Sequence, residues 1–288
     1  MNVIKCVLKL KNSFFMSNKN SLLLFLGIGI LSIFIFCGIF APFLTPYDPY
    51  ELYIPYLSPC PAHLLGTNDI GQDIFTELLF SARISLCIGF FAAFISVFIG
   101  SFVGLISGYF RGLTDEVLMG MTDIMLIIPA LPLMIILTAS TRPGLWNIII
   151  VIGLLWWTST ARVVRSRVMQ LREMPFIEAA KLLGPSDFYI VFRHILPNTY
   201  QVIYPKFVLS VAGAMLTESA LSFLGLGDPI HKSWGMMLNY AFSRGGFINN
   251  YWWWYLPPGL CISLVVLGFL LIGFGLEEKK EHFFEQII

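Results

Sequence analysis

Charge is what this chain is short of. Asp, Glu, Lys and Arg make up 12% of its 288 residues, about half of the ~25% found in a soluble domain. With 57% hydrophobic residues and a mean hydropathy of +0.79, too little polar surface remains to solvate a water-borne fold, so lipid must cover the rest. A net charge of +1 supplies no basic field and excludes nucleic acid as a partner. Cysteines are few: Cys6, Cys37, Cys60, Cys87 and Cys261 are odd in number and lack paired spacing, which excludes a disulfide framework or a zinc site. The G-x-x-x-x-G-K-[ST] phosphate loop and the H-E-x-x-H metal helix are both missing. His63, His194, His231 and His282 are scattered, and Gly225-Leu226-Gly227 ends an apolar run instead of opening a nucleotide-binding βαβ unit. The chain is therefore expected to be no enzyme, with no catalytic residues, no metal and no cofactor of its own.

What is present is long apolar runs. Crossing the hydrocarbon core takes about 20 apolar residues in a helix, and six runs suffice: 22–44, 84–110, 117–140, 145–164, 207–227 and 255–276. The first follows Lys5, Lys9, Lys11 and Lys19 as a signal peptide would, but it exceeds the 7–15 residues of an h-region, so it reads as an uncleaved helix. The expected fold is an all-α polytopic membrane protein of six transmembrane helices.

The placement of Lys and Arg orients it. With the N-terminus inside, fourteen of the 18 basic residues lie on the inner side and only Arg83, Arg142, Lys232 and Arg244 on the outer. Both termini are then cytoplasmic: 1–21 is an inner segment, 45–83 an extracytoplasmic loop, 84–276 the core with a cytoplasmic loop at 165–206, and 277–288 an inner tail. Tyr251-Trp252-Trp253-Trp254-Tyr255 reads as an aromatic belt at the outer interface. In the outer loop, prolines 46, 49, 55, 59 and 61 disfavour regular structure. The pattern from Asp73 to Ile84 predicts a short interfacial helix, serving either as a receiving surface or as a lid over the spans.

Several polar or small residues interrupt the spans. Gly100, Gly104 and Gly108 form a stripe that lets another helix approach, from this chain or from another subunit. Pro129 and Pro132 free backbone carbonyls in the third span, producing either a static kink or a bend beside a water-filled pathway. Asp123 and Glu218 must face protein or water, since a charge at mid-membrane costs roughly 2.5–3.5 kcal/mol on insertion scales. They read as pathway-lining groups or as hydrogen-bonded ties between helices.

The loop at 165–206 is a polar island. Pro175 suits an early helical position, Gly184-Pro185 ends that helix, and Ser186 or Asp187 caps a second segment that stops before Pro197. So short a pair needs the membrane domain or a partner to pack against. Glu178, Ala179, Ala180, Gly184, Leu196 and Pro197 stand at the spacing Glu-Ala-Ala, three residues, Gly, nine residues, x-x-Leu-Pro. This resembles the loop by which the permeases of ATP-binding-cassette importers meet their ATPases. Arg193-His194-Ile195-Leu196-Pro197-Asn198, Leu65-Gly66-Thr67 through Gly71-Gln72-Asp73, Ala82-Arg83-Ile84-Ser85-Leu86, Leu221 through Gly227, Ser233-Trp234-Gly235 and Pro257-Pro258-Gly259 are similar to the dipeptide/oligopeptide/nickel branch. Asn68 and Gln72 stand where that branch commonly has Asp and Arg.

The resemblance implies a coupling helix between the fourth and fifth helices, a second homologous permease subunit, two cytoplasmic ATPases holding ATP and Mg, and an extracytoplasmic solute-binding protein. The setting it implies is the cytoplasmic membrane of a bacterium or archaeon. The implied cargo is peptide, with nickel or another metal chelate as the alternative. An ion-coupled secondary transporter working through Asp123 and Glu218 is the rival of another class; it would usually carry internal repeats, and none is visible.

Overall fold

A computed structural model describes the backbone of residues 2–285 and the side chains of 21–277. The inner lysines 5, 9, 11, 19, 279 and 280, Cys6 and His282 lie outside the described side chains. Helices dominate, and among the described residues the single β feature is an isolated bridge between Thr67 and Asp73. Four helices are long and apolar enough to cross a membrane, and two bent pairs bring the number to six.

In chain order the helices are α1 (Asn2–Ile39), α2 (Ala41–Leu44), α3 (Ile74–Phe110), α4 (Gly112–Ile127), α5 (Ala130–Ser140), α6 (Leu145–Leu155) and α7 (Trp157–Arg172). They continue as α8 (Pro175–Leu182), α9 (Asp187–Ile190), α10 (Leu196–Leu221), α11 (Trp234–Ser243) and α12 (Trp252–Glu285). Wide π turns at Val191–Ile195 and Ser222–Leu226 flank α10.

Helix α3 is the axis of the bundle, running against α7, α10, α6 and α1, while α12 closes the far side against α1 and α10. The glycine stripe lets α3 and α7 approach closely. A Cβ on Gly100 would sit 2.5 Å from the Trp157 carbonyl oxygen, on Gly104 2.6 Å from that of Ala161, and on Gly108 2.8 Å from Val168 Cβ. The stripe therefore serves packing of α3 on α7 inside this chain. The main core gathers Ile88, Met134, Ile148, Ile152, Met215 and Trp234 from five helices.

Three sequence expectations change in detail. The interfacial helix beginning at Asp73 does not stop at the membrane edge: α3 is one helix of 37 residues, about 55 Å long at 1.5 Å per residue. The Asp73 carboxylate starts it, accepting from Thr76 N and Thr76 Oγ1 at 2.8 Å, as N-cap residues do. The third span is two helices meeting at 84°; Pro129 is extended at φ −60°, ψ 113° and starts α5. The fourth bends by 40° between α6 and α7.

The outer loop is a folded cap. Tyr53 N donates to Gly71 O, Tyr56 N to Asn68 O and Thr67 N to Leu57 O, stitching its proline-rich half to its glycine-rich half. His63 Nδ1 lies 2.9 Å from Asp73 Oδ2, enclosed by the rings of Tyr47 and Tyr53. Asn68 Nδ2 donates to Gln72 Oε1 and Glu77 Oε2, and Lys232 Nζ donates to Gln72 Oε1 at 2.6 Å and Glu77 Oε1 at 2.7 Å. The aromatic belt divides: Trp252 is exposed, whereas Trp254 is buried and faces Tyr56.

Candidate functional site

The segment from α8 to the π turn before α10 is built on a small core of its own. Ile177 of α8, Ile190 of α9 and Ile195 of the π turn close against Leu105 and Tyr109 of α3 and Val164, Val168 and Leu171 of α7. Tyr109 is the hub. Its hydroxyl meets the Asp187 carboxylate, and its ring lies between Arg172 and Lys181, 5.7 and 5.6 Å from the centroid, close enough for cation–π attraction. The α8–α9 pair is thus fixed to the inner ends of α3 and α7.

Local chemistry shapes the pair largely as the sequence suggests. Pro175 opens α8. Gly184, at φ +76°, takes the left-handed C-terminal position while its N–H donates to Lys181 O at 3.0 Å. Open space surrounds the place of its missing Cβ, so conformation and not crowding selects glycine there. Ser186 Oγ accepts from Tyr189 N and starts α9.

The second segment does not stop before Pro197. From Asp187 to Leu226 the chain is one helix of 40 residues. The π turn widens the helix just ahead of Pro197, which lies in the first turn of α10 and has no N–H to continue the preceding register.

Of the residues marked by the motif, Glu178, Ala179, Gly184 and Pro197 are exposed, Leu196 is half-buried and Ala180 is buried beneath α8. The structure adds what sequence reading missed: around Gly184, Leu182, Leu183 and Phe188 are 89%, 87% and 71% exposed. Phe192 and Tyr189 extend the surface along the next turn, and Phe176 adds to it from the start of α8. A cluster of large apolar side chains left in water marks a contact surface for another macromolecule. The signal was available in the sequence as the Leu182-Leu183 and Phe188-Tyr189 pairs flanking the break.

The in-span carboxylates part company. Glu218 is 0% exposed and accepts from Ser222 Oγ at 2.7 Å and Ser219 Oγ at 3.4 Å. Asp123 is half-exposed and pairs with Arg162 of α7 at 2.6 Å. One turn further inward, Asp115 grips Arg165 through both oxygens, and Arg111 holds Glu173. Three arginine–carboxylate pairs therefore bind the half of the α4–α7 layer nearest α8; sequence reading identified neither Asp115 nor the three arginines as members of one layer. The Pro129–Pro132 break follows Asp123 by six residues and leads into α5, whose Met134 enters the main core. At the outer side Asp228 accepts from Leu145 N at 3.1 Å and from His231. Burial alone would raise its pKa, but hydrogen bonds from His231 and from the backbone at Ile230, His231 and Leu145 outweigh it and hold the carboxyl below its ordinary value. Among the described residues, no group of three or more His, Cys, Asp or Glu side chains converges as a metal site.

The chain is 36% identical to the oligopeptide transport system permease protein OppC of Bacillus subtilis, covering 93% of this chain and 87% of the relative. It is 39% identical to the dipeptide transport system permease protein DppC of Alkalihalophilus pseudofirmus, covering 91% and 86%. It is 35% identical to the glutathione transport system permease protein GsiD of Pectobacterium atrosepticum, covering 84% and 80%. Residues 97–278 match the model of the binding-protein-dependent transport system inner membrane component. Those residues hold the α3–α7 seam, the α8–α9 pair and every in-span carboxylate, so the chain belongs to this family of multi-pass transport components.

Proposed function

We propose that the chain is a permease subunit of an ATP-binding-cassette importer that moves peptides. Two such permeases form the pathway, two cytoplasmic ATPases carry ATP and Mg, and a solute-binding protein delivers cargo from outside. The observation that carries this reading is the apolar surface around Glu178, Gly184 and Phe188, fixed to two membrane helices yet open to water. Such a surface suits a groove on a partner, and the chain has no phosphate loop of its own. The excess of Lys and Arg supports a cytoplasmic face for this surface and both termini, in the membrane of a bacterium or archaeon.

In this reading, closure of the ATPase pair shifts α8 and α9 and, through Tyr109 and Asp187, the inner ends of α3 and α7. The pathway lies against the second permease along α4 and α5, where Ile124, Ile127, Leu131 and Ile136 are exposed. The Pro129–Pro132 break and Asp123 belong to its wall, and Glu218 reaches it in another state. Peptide is favoured over metal chelate because the relatives above are named for oligopeptide, dipeptide and glutathione transport.

The test replaces Glu178 with Lys in cells carrying the whole transporter. Membrane abundance is expected to hold while peptide uptake and co-purification of the ATPases fall. Normal uptake at normal abundance sinks the docking assignment.

A further inference from the structure

We infer that Arg83 anchors a membrane phospholipid whose acyl chain lies along α1 and α3. Arg111, Arg162, Arg165, Arg244 and Lys232 each pair with a carboxylate. Among the described residues Arg83 has neither an ion pair nor a hydrogen bond from its guanidinium and is exposed.

Two cavities share it. Above lies a recess of about 250 Å³ roofed by Pro49 and Tyr50, with Lys232 and His231 on its wall. Below lies a groove of about 350 Å³ lined by Ile35, Ile39, Leu86, Cys87 and Phe90. Arg83 is the last residue before the apolar run of α3 begins, which sets it at the height of the lipid headgroups. A free guanidinium between a partly polar recess and an apolar groove matches an amphiphile with an anionic head. Guanidinium holds phosphate through paired N–H donors, and its stem can lie along the apolar wall below. The proposed orientation bears only on which leaflet supplies the lipid: the outer one.

Native Cys87, exposed in the groove, reports occupancy. In the assembled transporter in detergent, alkylation of Cys87 by N-ethylmaleimide is followed by peptide mass while dioleoyl-phosphatidylglycerol is added. The lipid is expected to slow alkylation, inorganic phosphate to leave it unchanged, and Arg83→Gln to need about tenfold more lipid for equal protection, with Arg83→Lys between. If Arg83→Gln fails to assemble, Ile35→Trp, which fills the groove and leaves the cation, should remove one bound lipid by native mass spectrometry. Three results overturn the assignment: equal protection in wild type and Arg83→Gln, equal protection by inorganic phosphate, or an unreactive Cys87 in the lipid-free complex, which means that a protein subunit covers the groove. An unchanged lipid count in Ile35→Trp does the same. All of these readouts measure binding and stand or fall independently of peptide uptake.

Discussion

The two water-facing ends of the molecule handle the same problem in opposite ways. At the outer end the loop from Thr45 to Glu77 satisfies itself: Asn68, Gln72, Glu77 and Lys232 exchange hydrogen bonds, and Asp73 serves both His63 and the start of α3. At the inner end the α8–α9 pair buries Ile177 and Ile190 but leaves Leu182, Leu183 and Phe188 in water. A closed polar network adds rigidity, whereas exposed apolar side chains, which the outer end also carries at Leu52, Ile54, Leu64 and Ile248, add nothing to the free chain and much to a complex. The comparison teaches where to look for each consequence: stability at the outer end, coupling at the inner.

The largest effect should come from Leu183→Ser combined with Phe188→Ser. Buried aromatic and aliphatic anchors contribute about 2 kcal/mol or more each at hot spots, so ATPase association and uptake should fall by at least ~30-fold. The melting temperature of the isolated permease should stay unchanged. A fall in melting temperature instead would erase the contrast.

Next is Glu77→Ala at the outer end. Lys232 and Glu77 are 20% and 5% exposed in their side chains, and breaking a buried pair costs about 3–5 kcal/mol. Partial exposure of the lysine places the expected loss near ~3 kcal/mol. Thermal unfolding of the purified complex reads it, while ATPase association should persist.

Gly184→Ala should cost about 1–2 kcal/mol, the strain of a left-handed residue bearing a Cβ. Because nothing crowds that position, the loss should appear as reduced protection of α8 amides in hydrogen exchange, not as misassembly. The smallest change is expected from Asp123→Asn. Its pair with Arg162 is half-exposed on both sides, and exposed pairs contribute about 0–1 kcal/mol. Denaturation should barely move, so any large effect on uptake would assign Asp123 to transport and not to holding α4 on α7.

The same contrast explains what the sequence made legible. Apolar runs reveal spans because lipid acts on every residue of a run, and the Glu178–Pro197 spacing reveals the inner loop because its turn chemistry is local. Helix continuity was harder to read. Ser81-Ala82-Arg83 marks where α3 leaves the apolar layer but offers no helix terminator, so polarity and helix end do not coincide. Pro129 announces a break but not the 84° angle between α4 and α5, nor that α5 seats Met134 in the core. Long-range pairs such as Lys232 with Glu77, 155 residues apart, or Arg165 with Asp115, 50 apart, leave no local pattern.

The helical run from Asp187 to Leu226 has a mechanical meaning, although π turns flank α10 and Gly225, at φ +83°, interrupts its far end. Forty residues make a strut about 60 Å long, with the exposed Phe188 near one end and Glu218 and Gly225 near the other. Within it α10 is the regular part: a tilt imposed at the foot would pass the π turn at Val191–Ile195 first, and its amplitude beyond would depend on the position of a pivot. The buried contacts of Val211, Ala212 and Met215 with the core supply that pivot. In the proposed coupling the strut would act as a lever, its stroke set by where the bundle grips it as much as by how far its foot is pushed.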